Sequence, residues 1–285
     1  METMLRVTGL QKAYPGFTLG GLSFSLESGY ILGLVGITGA GKTTLIQALC
    51  HLLPVDAGEV RIAGQSFLEN PVAYREAIGY VSDSSYFSPL FRLRHIEGIL
   101  RDFYPTFDEK RFRGFVQKWK LPEDKTVGSF SRGMQVKLML ASVLSRETKI
   151  LLLDEATNGL DAITRADVLE LLQNYVEDGE HSILFSTHLL NELENLTDYL
   201  LFLENGQVRL FDDIETLRDR YRLVKGGTSD LTASLGEKLY GLRKKDLSFT
   251  ALAESKDTKD FPSGITRDVP TIDEIVRFLS TESEV

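Results

Sequence analysis

The stretch Gly36-Ile37-Thr38-Gly39-Ala40-Gly41-Lys42-Thr43-Thr44 places glycines, one lysine and adjacent hydroxyls directly after the apolar run Tyr30-Ile31-Leu32-Gly33-Leu34-Val35 and directly before Leu45-Ile46-Gln47-Ala48-Leu49. Glycines at that spacing let backbone N–H groups turn inward around an anion, and the helix that follows adds its positive end. Lys42 is placed to reach the β- and γ-phosphates of a nucleotide, and the Thr43 hydroxyl to ligate Mg²⁺. A glycine-rich connector would need neither the lysine nor the full Gly-x-x-x-x-Gly-Lys-Thr spacing, so the segment predicts binding of a nucleoside triphosphate. A second constellation is Leu151-Leu152-Leu153-Asp154-Glu155, two carboxylates at the end of an apolar run. At the carboxyl end of a sheet strand, Asp154 can face the Mg²⁺ and Glu155 a water beyond the γ-phosphate. Read alone, the pair would serve as an acidic cap for the next helix. Beside a phosphate loop, the catalytic assignment takes precedence.

Positioning these groups takes a sheet. The apolar runs around Ile31–Val35, Ile150–Leu153 and Ser182–Phe185 are nearly continuous and separated by helical stretches, which predicts parallel strands covered on both faces. Residues 5–35 read as strands and turns, with Leu5-Arg6-Val7, a Tyr14-Pro15-Gly16 turn and the alternation Leu22-Ser23-Phe24-Ser25-Leu26. Gly58–Gly64 and Ala77–Val81 read as further short strands. From Phe91 to Lys120 the pattern turns helical, with Ile96, Ile99, Leu100 and Phe103 on one face, a break at Pro105, then Phe112, Phe115, Val116 and Trp119. Such an aromatic stripe predicts core. Val136, Met139, Leu140, Val143 and Leu144 predict an amphipathic helix opened by Ser131. Tyr199–Phe211 carries a hairpin signal with its turn at Glu204-Asn205-Gly206-Gln207. Beyond Asp212 the pattern predicts short charged helices, a break at Gly226-Gly227 and a Pro-Ser-Gly loop at 262–264.

Composition narrows the class. The chain has 285 residues, enough for one large domain and a smaller one, with 42% hydrophobic and 26% charged content, as in an ordinary soluble protein. No run of 18 or more apolar residues occurs, which predicts no membrane span, and the N-terminus Met1-Glu2-Thr3-Met4-Leu5-Arg6 lacks a signal-peptide core. The single cysteine, Cys50, can build neither an internal disulfide nor a cysteine metal cage, and fits a reducing cytosol. A net charge of −9 argues against a nucleic-acid-binding surface.

Taken in order, the motifs resemble those of the nucleotide-binding subunit of an ABC transporter, over about residues 4–212. Gly36–Thr44 matches the Walker A pattern, and Ile150–Glu155 matches Walker B followed by the catalytic glutamate. Phe130-Ser131-Arg132-Gly133-Met134-Gln135 resembles the ABC signature, with Arg132 and Met134 in place of the first Gly and the final Gln. Asn158-Gly159-Leu160-Asp161 resembles the D-loop and Ser186-Thr187-His188 the switch histidine. The resemblance implies an α/β fold of the P-loop NTPase type, with a parallel-sheet core, an antiparallel β subdomain and a helical subdomain over about 86–148. It implies ATP and Mg²⁺ as cofactors, with Tyr14 stacking on adenine; a turn aromatic beside Pro15 is its other reading. Gly36, Thr38, Gly39, Ala40, Gly41, Lys42, Thr43 and Thr44 would surround the phosphates. Ser131, Gly133 and Asp161 would meet the ATP of an opposing subunit, and His188 would hold the attacking water with Glu155. The chain departs from the pattern at Asp83, where the Q-loop usually has Gln; as an oxygen ligand Asp83 could still serve Mg²⁺, or it could simply start a turn with Ser82 and Ser84. Thr38 is a second departure, since Asn is common there.

The run Phe103-Tyr104-Pro105-Thr106-Phe107-Asp108, the Ser-Arg-Gly-Met signature and the C-terminal extension resemble bacterial exporters with an ABC-2-type membrane partner, most of all those for antimicrobial peptides and phenol-soluble modulins. That implies a separate transmembrane subunit met by the loop Ser84–Phe91, a second ATP-binding subunit, identical or not, and a place on the cytoplasmic face of the cell membrane. Residues 213–285 would form a small α+β accessory domain ending in the amphipathic segment Ile272–Leu279. Two other functions stay open on the sequence: a soluble ABC ATPase acting outside transport, and a degenerate ATP-binding subunit of a heterodimer.

Overall fold

The computed structural model describes residues 2–280; Met1 and residues 281–285, at the ends of the two terminal readings, lie outside the described residues. In chain order the elements are β1 (Thr3–Tyr14), β2 (Phe17–Glu27), β3 (Ile31–Val35), α1 (Lys42–Leu49), β4 (Ala57–Ile62), β5 (Gln65–Ser66), α2 (Pro71–Glu76) and β6 (Ile78–Val81). There follow α3 (Leu93–Phe103), α4 (Glu109–Lys118), α5 (Arg132–Leu144), β7 (Ile150–Asp154), α6 (Ala162–Val176) and β8 (Ser182–Ser186). The remainder comprises α7 (Leu190–Leu196), β9 (Tyr199–Glu204), β10 (Gln207–Asp213), α8 (Ile214–Arg220), β11 (Tyr221–Gly227), α9 (Ala233–Gly236), β12 (Leu239–Lys244), β13 (Ser248–Glu254), β14 (Thr266–Asp268) and α10 (Ile272–Leu279). The chain divides into two compact units, one running to His188 with Leu203–Arg209, the other made of Leu189–Phe202 and the chain from Leu210 on.

In the first unit, β1 pairs antiparallel with β2 and β4 in a four-stranded sheet of order β2-β1-β4-β5. The alternation along β2 follows the pleat: Leu22, Phe24 and Leu26 are buried while Ser23 and Ser25 are exposed. In the second sheet the strands lie in the order β3-β8-β7-β6 and run parallel. Every residue of β3, β7 and β8 is buried, which is why these strands read as unbroken apolar runs. Their carboxyl ends share one edge, and that edge carries the phosphate loop, Asp154-Glu155 and Ser186-Thr187-His188.

Two readings of the helical region need correction. The helix α5 is not amphipathic: Val136 and every residue from Leu138 to Leu144 are buried. Leu138 and Ala141 join the core of α3 and α4, built on Ile96, Leu100, Phe112 and Val116, while the rest of the helix packs toward β6. From Leu138 on the helix is closed in on all sides and needs no polar stripe. Phe103, expected on the core face of α3, is 75% exposed. The helix ends there, and the extended backbone of its C-cap Tyr104 puts Tyr104 and Phe107 against the core instead.

The second unit is α+β, around an antiparallel sheet of order β12-β13-β11-β14. Gly226-Gly227 is no break: both residues stay in β11, opposite Phe249 and Ser248. A Cβ at Gly226 would stand 2.9 Å from Phe249 Cε1 and 3.0 Å from Ile265 Cγ1, so glycine is there to admit the aromatic ring. Ile272, Ile275, Val276 and Phe278 form the buried face of α10, which opens with a Thr271–Glu274 capping box. The sequence places a boundary after Asp212, but α7 groups with the later segment. Glu194 on α7 accepts from Arg218 at 2.6 Å and also from the backbone N–H of Ile272, at the start of α10.

Candidate nucleotide site

The phosphate loop is shaped by what it cannot hold. Gly41, the N-cap of α1, has φ of 104°, and a Cβ there would lie 2.7 Å from Phe17 Cζ. A Cβ on Gly36 would collide with the Leu203 carbonyl. Thr38 and Gly39 are exposed at the crest of the loop, and the buried Ala40 donates its N–H to Ile37 O at 3.1 Å. Behind them Lys42 is only 7% exposed. Its Nζ donates to Gly36 O at 2.7 Å and lies 3.8 Å from Glu155 Oε1. Burial lowers the Lys42 pKa, against the opposing pull of Glu155 and Asp154. The ammonium is thus folded onto its own loop, with a carboxylate on its far side.

Thr43, exposed in the first turn of α1, donates from Oγ1 to Asp154 Oδ1 at 3.3 Å. Burial raises the Asp154 pKa; Glu155 and Asp83 push the same way, while the Thr43 hydrogen bond and Lys42 oppose them. These groups face a cleft of about 580 Å³ lined by Thr43, Gln47, Tyr80, Asp83, Asp154 and Glu155 among others. Asp83 is thereby on the same cleft as Thr43 and Asp154, as a metal role requires. Thr44, next along α1, is half-buried.

Glu155 adopts a left-handed backbone, φ 51°, immediately after the strand. Its N–H donates to Ser186 O at 3.0 Å on the neighbouring strand, and its Oε2 lies 3.4 Å from His188 Nδ1. A non-glycine residue held in that conformation marks a site where surrounding structure overrules local preference. The cap of α6 is Asp161, which accepts from Ile163 N at 3.1 Å and Thr164 N at 2.9 Å. Those N–H groups hold the Asp161 carboxyl below its usual pKa, and the helix-cap reading of Asp154-Glu155 therefore falls away.

Lys42, Thr43, Asp83, Asp154, Glu155 and His188 come together in the first unit. Tyr14, Ser131, Gly133 and Asp161 stand outside the lining of the cleft. Tyr14 closes β1 at 43% exposure, with Lys12 Nζ 5.6 Å from its ring centre. Ser131 caps α5 by accepting from Met134 N at 3.3 Å, and Gly133 lies in that helix's first turn. Arg132 Nε donates to Asn158 O at 3.3 Å, tying the signature loop to the Asn158–Asp161 turn of the same chain. The sequence reading gave no role to Gln47 and Tyr80, which line the cleft. Gln47 was findable, since four residues after Thr43 it shares that helix face.

The architecture and this edge constellation define an ATP-binding cassette of the P-loop class. Residues 19–158 match the ABC transporter family. The ABC transporter ATP-binding protein YtrB of Bacillus subtilis (strain 168) is 30% identical over 219 residues, covering 76% of this chain and 75% of that protein. The bacitracin transport ATP-binding protein BcrA of Bacillus licheniformis is 28% identical over 225 residues, 78% of this chain and 74% of that one. A solved ATP-binding subunit of an ABC transporter superimposes with a TM-score of 0.69 at 24% identity, over 75% of this chain and 92% of that chain, a likeness of fold. The chain belongs to the ATP-binding subunits of ABC transporters, and it is an ATPase. Such subunits work with transmembrane partners; among the described residues no helix is long and apolar enough to cross a membrane.

Proposed function

We propose that this subunit hydrolyses ATP in the described cleft to drive export of a peptide or amphipathic small molecule through a separate ABC-2-type membrane subunit. The observation that carries the reading is the convergence of Lys42, Thr43, Asp154, Glu155 and His188 on one sheet edge. Lys42 leaves Gly36 O for the β- and γ-phosphate oxygens when nucleotide enters, exchanging a neutral acceptor for an anionic one. Glu155 orients the attacking water and takes its proton as the bond to the leaving ADP oxygen breaks, and His188 steadies Glu155 and the γ-phosphate. Thr43, Asp154 and Asp83 are the oxygens that would hold Mg²⁺, which supplies positive charge against the phosphates. The fit is chemical: Asp154 is a buried carboxylate whose ionised form is penalised until a cation arrives. Among the described residues no group of three His, Cys, Asp or Glu could hold a metal alone. Mg²⁺ at nucleotide sites draws its other ligands from phosphate and water.

In this reading residues 1–212 are the nucleotide-binding domain, with the helical subdomain over about 86–148, and residues 213–285 an accessory domain. Ser131, Gly133 and Asp161 serve the ATP of a second ATP-binding subunit, and Tyr14 stacks on adenine. Exposure of Ser131 and Tyr14 supports this, because residues that await a partner or a base must be uncovered. The similarity to a bacitracin transport protein supports an exported peptide or amphiphile, and the assembly stands on the cytoplasmic face of the cell membrane. The reading predicts that a membrane protein is encoded beside this subunit, and co-expression with it is the test. A stable complex whose ATPase exceeds that of the isolated subunit, and which moves a labelled peptide into inverted vesicles, is expected. Failure of every membrane protein so encoded to bind would overturn it.

A further inference from the structure

At its carboxyl end β1 outruns one of its two neighbours. Pairing with β4 stops at Gln11 and Ala57, while β2 continues alongside and pairs Lys12 with Leu19, Ala13 with Thr18 and Tyr14 with Phe17. Asp56, just before β4, takes over on the side that β4 leaves. Its N–H donates to Gln11 O at 2.9 Å, its Oδ2 accepts from Ala13 N at 2.7 Å and its Oδ1 from Lys12 Nζ at 3.0 Å. The Ala13 N–H, with Lys12 second, holds the Asp56 carboxyl below its ordinary pKa, so it is ionised at neutral pH. An exposed ion pair alone would fix little, but a carboxylate that also takes a backbone N–H fixes the strand itself.

Lys12 and Tyr14 are two residues apart on the strand and share one face of it. The Lys12 ammonium stands over the Tyr14 ring, 5.6 Å from its centre, within range of the π-face. The Lys12 side chain is only 15% exposed, whereas Tyr14 is 43% exposed. One face of the ring thus holds a cation that Asp56 has fixed, and the exposed part is left for a flat ligand. Across the hairpin, Phe17 stands opposite Tyr14 and packs on the phosphate loop, where a Cβ on Gly41 would lie 2.7 Å from Phe17 Cζ. The hairpin end that carries Tyr14 is held twice, by Phe17 at the phosphate loop and by Asp56 at the opposite strand edge.

We propose that Asp56 is a positioning residue for the nucleobase: by clasping Ala13 and Lys12 it sets the place of the Tyr14 ring relative to the phosphate loop, so that base and triphosphate are bound together. The inference rests on the reading that Tyr14 stacks on adenine. Stacking tolerates any base, but it depends on where the ring stands, because a triphosphate seated in its loop fixes how far the base can travel. Without the clasp Tyr14 keeps its ring and loses its fixed place, since pairing with β4 has already stopped at Gln11. The loss falls on the base alone, because Phe17 supports the phosphate loop without Asp56.

The test titrates the full-length subunit with Mg-ATP and with Mg-tripolyphosphate, which carries the phosphates but no base. Asp56→Ala, Tyr14→Ala and the double variant are compared with wild type. Tyr14→Ala is expected to weaken ATP binding by about 10-fold and Asp56→Ala by about 5-fold. The double variant should lose no more than Tyr14→Ala, because Asp56 acts through that ring. Tripolyphosphate should bind all four proteins alike. Should Asp56→Ala melt early, Asp56→Asn takes its place; it keeps an acceptor for the Ala13 N–H but drops the charge on Lys12, and about a 2- to 3-fold loss is expected. Wild-type ATP affinity in the Asp56 variant beside a weakened Tyr14→Ala overturns the proposal. So does an equal loss of tripolyphosphate binding, or losses that add in the double variant. Unaltered ATP affinity in Tyr14→Ala would instead sink the stacking reading, and this inference with it.

Discussion

The first unit buries Lys42, Asp154 and Arg146 among its apolar side chains, whereas the second, Glu192 apart among its described residues, keeps its charges outward and fills its interior with Val224, Phe249, Ala251 and Ile265. Both have sheets, yet β3, β7 and β8 are buried along their whole length while β12 and β14 are largely exposed. The contrast separates two uses of a core. A parallel sheet covered on both faces is rigid enough to hold poorly solvated charges at its edge, where a charged ligand completes them. An antiparallel sheet with an open face has no such reserve, and its stability comes from ordinary packing.

Substitutions in the two units should therefore fail in different ways. The largest loss is expected for Lys42→Ala, which removes the cation facing the β- and γ-phosphates: ATP hydrolysis should vanish and ATP binding weaken strongly, as read by phosphate release and nucleotide titration. Wild-type turnover would break the phosphate-loop assignment. Glu155→Gln should keep ATP binding but slow hydrolysis by about 10²- to 10⁴-fold, since only proton acceptance is lost. It should also accumulate as an ATP-bound dimer on size exclusion in Mg-ATP, and a monomer with normal turnover would reduce Glu155 to a structural residue.

In the second unit, Phe249→Ala should cost about 3–5 kcal/mol of local stability, seen as an earlier calorimetric transition. Basal ATPase should hold at temperatures below that transition. Loss of basal activity there would erase the contrast between the units. Asp83→Gln should raise the Mg²⁺ concentration for half-maximal ATPase while maximal activity stays within about an order of magnitude, and Asp83→Ala should lose more. Superimposable Mg²⁺ titrations would leave Asp83 only a turn residue beside Ser82.

The smallest effect is thermal. Folding raises the Asp154 pKa above its ordinary 3.8, so the folded protein holds the proton more tightly than the unfolded chain. Stability is therefore lost as pH rises from 3.8 through the raised value, and at neutral pH the nucleotide-free protein carries that penalty. Asp154→Asn should raise its melting temperature at neutral pH, with the difference closing at acid pH. A lower melting temperature at neutral pH would show that the Thr43 and Lys42 contacts outweigh the burial cost.

What could be read from the chain alone was whatever lies within a few residues along it. Gly36–Thr44 is strand, loop and helix in immediate succession, so residue types and spacing imply its geometry, and the continuous apolar runs announce buried parallel strands because no face of them meets water. Contacts between distant segments were decided by the fold. The left-handed backbone of Glu155 is imposed by its bond to Ser186, 31 positions later, and its approach to His188 comes from two strands lying side by side. The burial of every residue of α5 from Leu138 on follows from layers packing on both of its sides, which periodicity within one helix cannot register. Gly226 looked like a break because the Phe249 ring it makes room for is remote in sequence. Arg146 carries no mark in the sequence; it is a buried cation with unpartnered donors because β6 and Tyr104, distant along the chain, close around it. Local propensity and pattern specify elements, and desolvation and close approach across the chain specify what those elements do.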